Sequence, residues 1–122
     1  MADLFELPEA DGWLDFEEGP WKGARVRTRL TVPIDFYLEI MESINTSRKP
    51  AELRATLRKW ADAVLLEWNV VRKGKRLPAT ADGFVQLPVQ GATMMVRAWL
   101  NAVPDVELPL GPGSPAGDTS GD

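Results

Sequence analysis

The chain has 122 residues, a net charge of −4, 44% hydrophobic and 26% charged residues, five tryptophans, and neither cysteine nor histidine. That length supports one domain able to bury roughly two-thirds of its unfolded surface without a disulfide or metal. The missing residue types exclude a thiol nucleophile, a Ser-His-Asp triad, a haem-ligating histidine and the usual zinc sites, so no enzyme activity and no cofactor are expected.

Residues 1–11 form an acidic arm with Leu4 and Phe5 as its apolar anchors. Met-Ala-Asp-Leu-Phe-Glu lacks the basic and apolar regions of a signal peptide, and no apolar run approaches the ~20 residues of a membrane span, so a soluble protein with no membrane partner is expected. Residues 12–18, with Trp13, Leu14 and Phe16, read as a short strand punctuated by Gly19-Pro20. Residues 24–32 alternate: Ala24, Val26, Thr28, Leu30 and Val32 on one face, Arg25, Arg27, Arg29 and Thr31 on the other. The arginine row is either a comb for phosphates or carboxylates, or a solvated face paired with Asp15, Glu17 and Glu18; the second reading is preferred.

Residues 33–45 switch to the helical period, with Ile34, Tyr37, Leu38, Met41 and Ile44 as one stripe and Phe36 and Ile40 outside it. Residues 50–68 read as a second helix opened by Pro50, its stripe Leu53, Leu57, Trp60, Ala61, Val64 and Trp68. Residues 69–78 suggest a turn or small hairpin around Lys73-Gly74, and Thr80 caps a short helix. Pro88 opens a last helix over 88–103 with Val89, Ala92, Val96, Trp99 and Val103 on one face. The fold expected is α+β and mainly helical: one domain over 12–110, with a short antiparallel β pair packed on three helices. Leu57, Trp60, Val64, Val96 and Trp99 should be in its core. Residues 111–122, rich in Gly and Pro, read as a disordered tail.

Charge is unevenly spread. Residues 1–18 hold seven acids and no base, and residues 48–76 nine bases and three acids. The basic block is read as meeting the acidic N-terminus rather than nucleic acid, because nucleic-acid domains usually carry net positive charge on top of their patch. The exception considered is Arg72-Lys73-Gly74-Lys75-Arg76 beside Trp68, which can hold a nucleic-acid backbone or be a solvated turn. The carboxylate pairs Glu17-Glu18 and Glu39/Glu42 have no apolar setting that would tune an acid, and no metal loop or phosphate loop is present. Trp21, Phe36 and Leu110, large apolar residues outside the main stripes, and Trp68, which ends its helix beside the basic turn, are the candidate anchors for a protein partner.

The run Trp68-Asn69-Val70-Val71-Arg72-Lys73-Gly74-Lys75-Arg76-Leu77-Pro78-Ala79-Thr80 follows the pattern W-N-x-x-(polar)-G-x-x-x-P-x-T. It resembles a segment of the tail assembly chaperones of tailed phages and prophages, and residues 50–122 follow that family's order of helix, turn, short helix, amphipathic helix and acidic Pro/Gly-rich tail. The turn here is more basic than is usual in that family. The resemblance implies a non-enzymatic protein of the host cytoplasm that binds the tape-measure protein and tail-tube subunits during tail morphogenesis. It also implies a tail suited to a frameshift junction. A structural protein of the virion tail or head–tail connection, and a small nucleic-acid-binding protein using residues 72–76, are the alternatives. Homo-oligomer formation stays open.

Overall fold

The computed structural model describes residues 3–106. The order is β1 (Asp11–Asp15), β2 (Arg25–Arg29), α1 (Ile34–Thr46), α2 (Pro50–Val64), β3 (Leu65–Trp68), β4 (Val71–Arg72), β5 (Lys75–Arg76), α3 (Ala81–Phe84) and α4 (Val89–Ala102). Single 3₁₀ turns lie at Gly19–Trp21 and Val103–Asp105. The class is α+β, as the patterning implies. The tail over 111–122 and the candidate anchor Leu110 lie outside the described residues.

The expected β pair forms, Leu14 opposite Val26, and gains a third antiparallel strand. The helix read over 50–68 stops at Val64, and Leu65–Trp68 is β3, beside β2. The reason is pairing. Val26 and Thr28 of β2 are fully buried, and the β2 edge away from β1 would hold unpaired backbone groups without a neighbour. Leu65 and Trp68 both face inward despite being three residues apart, because a bulge between Arg27 and Thr28 shifts the register. A helical spacing of Trp68 from Val64 therefore disguised a strand.

The sheet buries Leu14, Val26 and Thr28 against the helices, and Leu57, Trp60, Val64, Val96 and Trp99 all lie in the core. Trp60 meets Phe84 at 5.0 Å between ring centroids and Trp99 at 6.0 Å, edge to face. Trp99 then meets Phe36 edge-on at 6.0 Å, and its Nε1 donates to the Arg29 carbonyl over 2.8 Å. Tyr37 of α1 donates its hydroxyl to the Leu100 carbonyl over 2.7 Å, joining the first turn of α1 to the end of α4.

α1 turns differently from its expected stripe. Ile40, placed outside that stripe, is fully buried, whereas Ile34 is 75% and Leu38 48% exposed. α2 lies against the Glu39/Ser43 side, through Lys59 to Glu39 at 2.7 Å and Thr56 to Ser43 at 2.5 Å. α4 lies against Tyr37. The direction between the two is that of Ile40 and Ile44, and Ile34 and Leu38 are rotated out of it.

The Lys73-Gly74 turn has positive φ at both residues, 51° and 81°, the mirror-image turn that suits the twist of a two-residue hairpin. Thr80 caps α3, its Oγ1 accepting from the Gly83 N–H over 3.3 Å. A Cβ at Gly83 would overlap the Pro78 carbonyl oxygen, so only glycine lets that chain approach α3. No helix among the described residues is long and apolar enough to cross a membrane.

Candidate protein-binding surface

The outer face of the sheet carries the arginine row, and each guanidinium there has an acid partner. Arg25 meets Asp15 at 2.7 Å, Arg27 meets Asp11 at 3.0 Å and Glu67 at 2.9 Å, and Arg29 meets Glu9 at 3.6 Å. Asp15 is the expected partner. Glu17 and Glu18 form no such pair among the described residues, because they lie past the end of β1 and only residues in register on adjacent strands face each other. Hydrogen bonding to Asp11, then to Glu67, holds the Arg27 guanidinium above its ordinary pKa. Arg25 also covers the Trp13 ring at 4.6 Å. A comb whose charges are matched in this way has little positive potential left for a phosphate.

The basic block over 48–76 does not meet the N-terminal arm. Within the described residues its ion pairs run from Arg58 to Asp82 and Lys59 to Glu39, besides Glu67 of the same stretch meeting Arg27. The reason is position: Arg58 and Lys59 sit mid-α2, facing α3 and α1. The strand acids are already held by Arg25, Arg27 and Arg29.

The four candidate anchors fall in different places. Trp68 is 5% exposed, packs on Phe84 at 6.3 Å and donates Nε1 to the Leu77 carbonyl over 2.7 Å. It belongs to the core, because it lies on the inner face of β3 and not at a helix end. Trp21 is half-buried, its ring laid where a Cβ of Gly91 would be. Phe36 is half-buried against Trp99. Leu110 is outside the described residues. The three that are described do not form one patch.

The fixed positions of the Trp68–Thr80 run have internal tasks. Asn69 accepts from the Arg25 N–H over 2.9 Å and donates Nδ2 to the Gly23 carbonyl over 3.0 Å, clamping the start of β2. Gly74 makes the turn, Pro78 meets Gly83, and Thr80 caps α3. Those positions therefore build the fold and leave contact to other residues.

Three exposed apolar features offer that contact. The first is the α1 ridge, Ile34 and Leu38 at i and i+4, with half-buried Met41 next along it. The second is a groove of about 220 Å³ between α2, α3 and α4, lined by Leu53, Leu57, Phe84, Leu87 and Val89 with Arg54 at its side. The third is the arm, where Leu4, Phe5 and Leu7 are 91%, 81% and 76% exposed. Sequence reasoning placed Ile34 and Leu38 in a core stripe. Their signal was the breadth of apolar residues around α1, more than one packing face can cover. Among the described residues no group of three or more acidic side chains is placed to hold a metal ion. Comparisons with protein-family models, with curated proteins and with solved structures find no match to this chain.

Proposed function

We propose that this chain is a phage tail assembly chaperone, a protein that acts by contact and not by catalysis. It would bind the tape-measure protein, and tail-tube subunits with it, before the tail encloses them. The similarity of the Trp68–Thr80 run to that family supplies the class of partner. The single observation that carries the binding mode is the exposed α1 ridge of Ile34 and Leu38. A tape-measure protein presents long helical apolar stripes, and a ridge at i, i+4 and i+7 is the shape that packs into such a stripe.

Co-expression with the tape-measure protein tests this. The expected result is a soluble complex that survives moderate salt, since apolar burial is not screened. I34E with L38E should release the tape-measure protein to the pellet while the variant's own melting temperature stays near that of the parent, because both side chains are exposed. A tape-measure protein equally insoluble with and without this chain overturns the reading. Retention on nucleic acid alone, lost as salt rises, replaces it with the basic hairpin over 72–76. Recovery of the chain in purified particles makes it a structural component instead.

A further inference from the structure

The β4–β5 hairpin differs from the arginine row of the sheet in one respect. Each guanidinium of the row has an acid partner, whereas Arg72, Lys73, Lys75 and Arg76 make no ion pair among the described residues. The reason lies in the sequence. No acid occurs between Trp68 and Ala81, and the acids on either side are already engaged. Glu67, which borders the same cleft as Arg76, holds Arg27 at 2.9 Å, and Asp82 holds Arg58 at 2.6 Å. Arg72 Nη1 donates to Gln86 Oε1 over 3.4 Å, a neutral partner that cancels none of its charge.

The hairpin presents these charges on a ribbon. All six residues from Val71 to Arg76 are exposed. The cross-strand pairs Val71–Arg76 and Arg72–Lys75 place bases on both strands, and Lys73 sits at the tip. At the root, Val70 and Leu77 pack on the core and the Leu77 N–H donates to the Val70 carbonyl over 3.1 Å, so the ribbon is held where it leaves the domain.

Shape and composition choose the ligand. Binding of a single strand relies on aromatic rings that stack on its bases. Trp68 faces the core, and residues 69–79 contain no aromatic side chain, so the hairpin has no such platform. What it offers is a pair of strands about 4.8 Å apart with four unmatched bases. The major groove of B-form DNA, about 12 Å wide, admits a two-stranded ribbon, whereas that of an A-form RNA helix is too deep and narrow.

We propose that the hairpin enters the major groove of double-stranded DNA tip first and holds phosphates through Arg72, Lys73, Lys75 and Arg76, without reading sequence. The net charge of −4 keeps the rest of the surface off the duplex, so the contact is weak and confined to the hairpin. The hairpin is a different element from the α1 ridge, and the inference does not depend on the proposed chaperone function.

Fluorescence anisotropy of short labelled duplexes across a salt series tests it. Each phosphate contact contributes about 0.9 to the slope of log affinity against log salt, so four bases predict a slope of about −3.6 and a loss of roughly 150-fold between about 50 and 200 mM. Two duplexes of unrelated sequence should bind alike. K73Q/R76Q should halve the slope to about −1.8 at an unchanged melting temperature, since both side chains are exposed. The charge-matched K22Q/R97Q, on exposed residues outside the hairpin, should keep the parent slope. The same sequence as a single strand, or as an RNA duplex, should bind more weakly, and polyglutamate should compete poorly. A chain that does not bind duplex DNA at the lowest salt overturns the proposal, as does a slope that K73Q/R76Q leaves unchanged. Tighter binding of the single strand overturns it as well, and polyglutamate competing as well as DNA assigns the hairpin to an acidic protein instead.

Discussion

Trp60 and Trp99 touch edge to face at the centre of the fold, yet their indole N–H groups differ. Trp99 donates to the Arg29 carbonyl, whereas Trp60 Nε1 and Thr28 Oγ1 are buried with no partner among the described residues. A buried polar atom left unpaired costs about 1–3 kcal/mol. Thr28→Val keeps the shape and removes the hydroxyl, so it should stabilise the protein by about 1 kcal/mol, seen as a higher denaturation midpoint at constant slope. Trp60→Ala opens a cavity and should cost roughly 3–5 kcal/mol. The informative contrast is Trp99→Phe against Trp60→Phe. Both lose similar ring area, but only the first strips a donor from a carbonyl, so it should be worse by about 1–3 kcal/mol. Equal losses would show that the Arg29 carbonyl finds another donor.

At the scale of elements, the α3 corner depends on one missing methyl group. Gly83→Ala forces the Pro78 carbonyl and α3 apart, and with them Phe84 from Trp60 and Trp68. A loss of at least 2 kcal/mol is expected by urea unfolding, far above the few tenths typical of a surface glycine. Lys73→Asn should instead stabilise the hairpin by a few tenths, because asparagine tolerates the positive φ that lysine holds there. Those turn and cap positions were legible because glycine, threonine and proline act through local geometry. The strand alternation of 24–32 was legible for the same reason, as period two survives whatever packs on it. The end of α2 was not. Leu65–Trp68 becomes a strand through the unmet edge of β2, a partner some forty residues away that no local window contains. The facing of α1 was hidden similarly: Ile34, Ile40 and Leu38 are equally apolar, and only the positions of α2 and α4 decide which is covered. The candidate surface was therefore visible as surplus apolar area but not as particular side chains.

For the whole molecule, charge balance sits mainly on the outer face of the sheet. The ion pairs there are exposed, so raising salt should lower the melting temperature only slightly. Arg27 is held above its ordinary pKa, so its contribution is present at every pH below the unfolded value and is lost only as pH rises through the folded one. Arg27→Gln should therefore lower stability evenly across neutral pH, without adding a titration step there. The junction where α2 passes into β3 without a loop has a consequence in time. β1 and β2 are joined by the nine residues between Asp15 and Arg25 and can zip early, but Arg27 and Glu67 are 40 residues apart, with α1 and α2 in the closed loop. The strand welded to the end of α2 can dock only after that helix has found its seat, so closure of the sheet should be a late event. Stopped-flow refolding checks the order. Leu14→Ala should slow folding, whereas Leu65→Ala should leave the folding rate near that of the parent and act by quickening unfolding.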